Sequence, residues 1–302
     1  MFSVEIRSVL PLAVAFLAPL ACTNVHAGST LDRIEQTKTI TIAHRESSIP
    51  FSYLDADKKP TGYSVDLCLK IAEALKRELK LPQLKIAYVA VTSSTRIPAI
   101  MQGKADLECG STTNNAERRK QVAFTIPHFI AAVRMLARAD SSIKNWTDLQ
   151  DKKIVTTKGT TTVQLMTDRG KVRALNLSLL EGADHAASFQ MVENATAEAF
   201  AMDDVLLYGL RASAKQPMQF AVVGDPLSAE PYAIMLSRDD AAFKAIVDRE
   251  MVRIINDGEF VKLYDRWFKQ PIPPNNINMN MGMSFLLRSS LSFPNDKVGD
   301  SF

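Results

Sequence analysis

Cysteine, histidine and tryptophan are scarce in this chain of 302 residues, at three, four and two copies, and each scarcity removes a class of function. The few Cys and His have no ligand-like spacing, so no zinc, haem or other metal site is expected. Neither sign of charge dominates: 36 Lys and Arg stand against 33 Asp and Glu, a net charge of +3. That is too near neutral for a nucleic-acid partner, which demands a concentrated basic surface. Beyond residue 27 no apolar run approaches the roughly 20 residues that cross a bilayer. The sequence also lacks a Gly-x-Ser-x-Gly elbow, a Walker loop and a dinucleotide glycine pattern, so no cofactor is expected and an enzyme is not the first reading.

What is there is an ordinary globular composition, 46% hydrophobic and 23% charged, with 12 Gly and 14 Pro. The length suits two compact units or one large one. Residues 1–27 read as a cleavable export signal. Arg7 supplies the positive end, Val9 to Ala21 is an apolar stretch broken by Pro11 and Pro19, and Val25-His26-Ala27 precedes Gly28 as the new N-terminus. A rival reading makes Cys22 a lipid-anchored N-terminus, but Pro19 stands where a lipobox wants Leu. Export implies the periplasm and an oxidising compartment, in which Cys68 and Cys109 either pair or stay as two buried small residues.

Strand-like and helix-like segments alternate through the mature chain, the pattern of an α/β fold. Thr39 to Ala43 alternates as a strand, Val65 to Leu79 carries apolar residues at helical spacing, and Leu84 to Val91 returns to strand. A short helix from Thr95 to Met101 and a strand from Ala105 to Cys109 lead into the turn Gly110-Ser111-Thr112-Thr113. A second series has a strand over Lys153 to Thr157, a helix opening at Thr161, a helix over Ala187 to Asn194 and a strand over Ala197 to Met202. Strands over Gln219 to Val223 and Ala233 to Ser237 precede a helix from Asp240 to Asn256 with Gly258 as its stop. The Met- and Asn-rich tail after Pro271-Ile272-Pro273-Pro274 shows no period and reads as a packed irregular extension.

Several separated strings then resemble one family. They are His44-Arg45-Glu46-Ser47-Ser48-Ile49-Pro50-Phe51-Ser52-Tyr53, Gly62-Tyr63-Ser64-Val65-Asp66-Leu67, Glu108-Cys109-Gly110-Ser111-Thr112-Thr113-Asn114, Lys158-Gly159-Thr160-Thr161, Asp184-His185, Met202-Asp203-Asp204 and Trp267-Phe268-Lys269-Gln270 with the prolines after it. In this order they resemble the exported solute-binding proteins of amino-acid ABC transporters, and within them the glutamate/aspartate-binding members. Ser64, Asp151 and Asn194 depart from the residues common at those positions.

The resemblance implies a two-lobe periplasmic-binding-protein fold with two crossover hinge strands and a central ligand cleft. Lobe 1 would hold 28–131 and 232–302, and lobe 2 would hold 132–231. The implied partners are L-glutamate or L-aspartate and a membrane permease, for a protein expected to be a monomer. Arg118 matches the clamp for the α-carboxylate, with Thr113 and Thr161 beside it; a guanidinium donates two parallel charge-assisted bonds. Read without the family, Arg118 is a solvated member of Arg118-Arg119-Lys120. Asp203, with Ser111, matches the anchor of the α-ammonium, and Asp204, on the other side of the strand, would face solvent or cap a helix. Arg45, Ser93, Arg96 and His185 match the readers of a distal carboxylate. A neutral ligand would leave two buried cations unsatisfied there, at a cost of several kcal/mol. His185 read alone is as well explained as a structural residue; it could donate neutral or charged, and a neighbouring acid would favour the charged form. Glu46 and Glu108 are the acids available to a dehydratase-like enzyme on the same fold, and a sensory module would ordinarily be fused to a membrane span.

Overall fold

The computed structural model describes residues 1–2 and 29–297. The export signal and Cys22 therefore lie outside the described residues, apart from Met1 and Phe2. Two five-stranded sheets form the two halves of the molecule. In the first, Thr39–His44 runs parallel to Lys85–Ala90 on one side and to Leu107–Glu108 on the other. Met235–Leu236 is antiparallel between Leu107–Glu108 and Ala123–Phe124. The second sheet repeats the scheme: Lys153–Thr157 is parallel to Ser178–Gly182 and Ala199–Asp203, and Val133–Arg138 is antiparallel between Ala199–Asp203 and Phe220–Val223. In each sheet the antiparallel inner strand is the one the chain forms just after it arrives from the other sheet. Both passages are made by one strand pair, Phe129–Ala131 with Glu230–Tyr232.

Helices pack on both sheets because their apolar residues recur every three or four positions. In Tyr63–Glu78 the buried side includes Ser64, Leu67, Cys68, Ile71, Ala72 and Leu75. Cys68 on this helix and Cys109 are joined by a disulfide that closes a separation of 41 residues, which resolves the two readings open in the sequence. Ser64 suits the core: its hydroxyl donates to the Gly110 carbonyl at 2.8 Å and accepts from His128 Nε2 at 2.9 Å. Asp151 takes the left-handed conformation, φ 60°, that explains why glycine is common at its position; the same conformation falls on Ala195 rather than Asn194.

An aromatic cluster roots the crossing strands in the first half. Phe129 stacks on Phe268 at 5.0 Å, Phe268 on Tyr264 at 4.4 Å, and Phe51 meets both Phe129 and Tyr232 edge-on at 5.0 and 5.1 Å. Gly258, at φ 71°, ends one helix and starts another, Glu259–Phe268.

Some expectations change. The tail contains a helix, Phe285–Ser292, capped by the Ser284 side chain on Leu287 N and seated by the buried Leu287; two turns are too few to show a period. Strand Val133–Arg138, buried on both faces over most of its length, does not alternate; strand Ser178–Gly182 and helix Asp204–Ser213 lie outside the segments whose pattern could be read. Among the described residues no helix is long and apolar enough to cross a membrane, and no group of three or more His, Cys, Asp or Glu could hold a metal ion.

Candidate functional site

Parallel strands present their carboxyl ends, and the loops that follow them, on one side of an α/β sheet. The residues singled out from the sequence all fall there. Arg45 follows Thr39–His44; Ser93 and Arg96 follow Lys85–Ala90; Ser111 and Thr113 follow Leu107–Glu108, with Arg118 on the short helix Ala116–Arg119 just beyond. From the other half, Thr161 opens the helix after Lys153–Thr157, His185 opens the helix after Ser178–Gly182, and Asp203 ends Ala199–Asp203. Seven of the nine line one narrow cleft, together with Thr160 and Met202. Arg45 and Arg118 stand at its margins. Arg45 Nη2 lies 3.4 Å from His185 Nε2, and Arg118 donates to the carbonyls of Thr113 at 2.9 Å and Gly159 at 3.4 Å.

The halves meet closely around this cavity. Gly159 has φ 79°, and a Cβ there would lie 2.6 Å from Ser94 Cα. The glycine of the Gly159-Thr160-Thr161 turn is thus required by the approach of the opposite backbone. Thr160 precedes the following helix in an extended conformation, its hydroxyl donating to the Thr157 carbonyl at 2.7 Å, and the Thr161 hydroxyl donates to Glu230 at 3.0 Å.

Three guanidiniums converge. Arg45, Arg96 and Arg118 are 1%, 2% and 8% exposed, so Arg118 is not the solvated member of a charge run. Burial first, then repulsion from Arg96, pulls Arg45 and Arg118 down to about 9; burial also lowers Arg96. Arg45 and Arg118 nevertheless stay charged at neutral pH. The acids whose charges oppose them are Glu108, Asp203 and Glu230, with Asp184 near Arg45. Sequence reasoning gave Glu108 a different role and passed over Glu230 and Tyr232. Glu108 is fully buried and accepts from the Thr112 hydroxyl at 2.7 Å. No local pattern marks Glu230 or Tyr232; only the strand pairing brings them to the cleft.

Asp203 accepts a hydrogen bond from the Tyr232 hydroxyl on Oδ2. Burial, and then Glu230, raise its carboxyl well above the usual range. Asp204 turns away, as pleating requires. Its Oδ1 accepts from the N–H groups of Val205 at 2.7 Å and Ala132 at 3.2 Å, so it fixes the start of its helix and the end of a crossing strand.

Of the two forms left open for His185, its surroundings favour the neutral one. Burial and then the cations Arg45 and Arg96 hold it well below 6.5. Its neighbours fix the tautomer: Nε2 faces the donor Arg45 and must accept, so Nδ1–H donates to the Thr157 hydroxyl at 2.9 Å.

Five of the nine residues keep buried polar atoms with no hydrogen-bond partner among the described residues: Arg45 Nη1, Arg96 Nε, Ser93 Oγ, Ser111 Oγ and Asp203 Oδ1. Buried polar groups are ordinarily paired. Guanidinium and hydroxyl donors on one side and a carboxylate acceptor on the other suit a small ligand carrying both anionic and cationic groups.

Residues 40–270 match the family of bacterial extracellular solute-binding proteins, family 3. The L-glutamate/L-aspartate-binding protein of Pseudomonas aeruginosa is 45% identical over 293 residues, 96% of this chain and 97% of that protein. The glutamate/aspartate import solute-binding protein of Escherichia coli K12 is 43% identical over 272 residues, 90% of each. These relatives are transport solute-binding proteins and not enzymes. Among solved structures, the cysteine-binding protein of Campylobacter jejuni shares the fold with a TM-score of 0.70 at 24% identity, over 80% of this chain and 93% of its own.

Proposed function

Because the chain belongs to the bacterial extracellular solute-binding proteins, family 3, we propose that it captures L-glutamate or L-aspartate between two lobes in the periplasm. It then delivers the ligand, as a monomer, to the membrane permease of an ABC importer. The lobes divide near residues 131 and 232, and the strand pair Phe129–Ala131 and Glu230–Tyr232 is the hinge. Arg118, with Thr113 and Thr161, holds the α-carboxylate; Asp203 and Ser111 hold the α-ammonium. Arg45, Arg96 and Ser93 hold the distal carboxylate, with His185 beside them keeping Arg45 in place.

The observation that carries this reading is the set of three buried guanidiniums around one cavity, with donors on Arg45 and Arg96 unpartnered. One carboxylate answers Arg118. A neutral side chain would leave the other two cations desolvated and unpaired, whereas a second carboxylate relieves the several kcal/mol that such burial costs. Contacts from both lobes make the ligand favour the closed arrangement, because an open cleft offers it only one side at a time.

The test is calorimetric titration of refolded, ligand-stripped mature protein with glutamate, aspartate, glutamine and arginine at neutral pH. Saturable binding of a dicarboxylate, with glutamine about 100-fold weaker or more, is expected. Equal affinity for glutamine, or no binding of either dicarboxylate, overturns the reading.

A further inference from the structure

Beyond residue 270, where the family match ends, the chain continues along the first lobe instead of leaving it. The Tyr53 hydroxyl donates to the Pro273 carbonyl at 2.6 Å, Met281 N–H to the Phe268 carbonyl at 2.9 Å, and Leu287 is buried. The far end is fixed twice at one residue. The Asp296 carboxylate pairs with Lys244 at 2.8 Å, and its backbone carbonyl accepts from Asn114 Nδ2 at 3.0 Å. Segments this close to a terminus are commonly poorly ordered unless tied down.

Asn114 is 1% exposed and follows Thr113 directly. Its backbone N–H donates to the Pro231 carbonyl in the crossing strand at 2.8 Å, and its Oδ1 accepts from Arg119 at 3.1 Å. Thr113 bridges to Tyr232, and its carbonyl holds Arg118 Nη1. One buried amide therefore joins the loop that carries Ser111 and Thr113, the helix that carries Arg118, the crossing strand, and the end of the C-terminal extension.

We propose that the C-terminal extension is a strap that positions the ligand clamp, and that Asn114 is the positioning residue through which it acts. The strap touches no ligand. It restrains the backbone behind Thr113 and Arg118, so ligand groups meet a loop that is already in place and less ordering is left to binding. This inference rests on the proposed capture of glutamate or aspartate.

The experiment compares wild type with four variants: truncation after Ser292, which keeps the last helix and removes Asp296; truncation after Lys297, which keeps Asp296; Asn114→Ala; and Lys244→Met, which loosens Asp296 from outside the cleft. Truncation after Ser292 and Asn114→Ala should each weaken glutamate about 3- to 10-fold, the range of one net hydrogen bond, mainly through faster dissociation. Combining them should cost no more than the larger single loss. Truncation after Lys297 should match wild type, and Lys244→Met should fall between, which decides the matter if the longer truncation does not fold. Hydrogen exchange of residues 111–119 in ligand-free protein should quicken on truncation after Ser292. Unchanged affinity and exchange in that variant, or additive losses, overturns the strap. Failure of wild type to bind either dicarboxylate would instead refute the capture reading, while the exchange measurement still judges the strap.

Discussion

Arg118 and Arg96 are both buried guanidiniums, yet their neighbours differ. Arg118 bonds the carbonyls of Thr113 and Gly159, one from each lobe, whereas Arg96 reaches the Ser111 carbonyl with Nη1 and keeps Nε unpartnered. Arg118→Ala should therefore abolish binding of every amino acid. Arg96→Ala should weaken glutamate by about 100-fold or more, since it removes one of the two buried cations assigned to the distal carboxylate, and should change glutamine far less. Titrating both variants with both ligands checks this, and equal losses would sink the division of labour.

A pH effect also belongs to a single residue. His128 is fully buried; its Nε2–H donates to Ser64 and its Nδ1 has no partner among the described residues. Burial pushes it down to about 3, so the neutral form is the folded form. Its contribution to stability is complete above the unfolded value near 6.5 and is lost as pH falls from there toward 3, by about 1.4 kcal/mol per pH unit. Urea unfolding at pH 7 and pH 4.5 should show His128→Gln, which keeps the donor, losing less stability on acidification than wild type. Parallel losses in the two proteins would place the acid sensitivity elsewhere.

Between elements, the Cys68–Cys109 disulfide ties helix Tyr63–Glu78 to the end of strand Leu107–Glu108, just ahead of the loop that carries Ser111 and Thr113. Closing a separation of 41 residues restricts the unfolded chain, and removing such a link costs about 2–4 kcal/mol. Cys68→Ala/Cys109→Ala should unfold at lower denaturant, with its unfolding free energy reduced by about 2–4 kcal/mol, and reductant should then have no further effect on it. A double variant as stable as the oxidised wild type would show that the link adds nothing.

At the scale of the whole molecule, closure depends on how near the two lobes can come. Gly209 lies inside helix Asp204–Ser213 with ordinary helical backbone, and a Cβ there would sit 2.6 Å from the Ile49 carbonyl in the opposite lobe. Alanine suits a helix interior better than glycine by about 1 kcal/mol. Gly209→Ala should leave the ligand-free protein as stable or more so, while weakening glutamate about 10-fold or more because closure now meets a clash. Wild-type affinity in this variant would show that binding does not need this approach. Opposite movement of stability and affinity is the signature of an effect on closure.

Much of this molecule was legible along the chain. Helix Tyr63–Glu78 could be read because its buried side chains recur at helical spacing, and the motif strings held six of the nine candidate site residues, Arg45, Ser111, Thr113, Thr161, His185 and Asp203. Strand Val133–Arg138 and the last helix escaped because burial on both faces, or too few turns, erases a period. Only the tertiary structure decided the charge of His185, since its field comes from Arg45 and Arg96, far away in sequence, and not from the adjacent Asp184. Likewise, only chain crossing brings Glu230 and Tyr232 to Asp203, and only the folded tail reaches Asn114. Sequence determined which local shapes and which chemical groups were available; proximity between distant segments, which sets desolvation and pairing, had to wait for the fold.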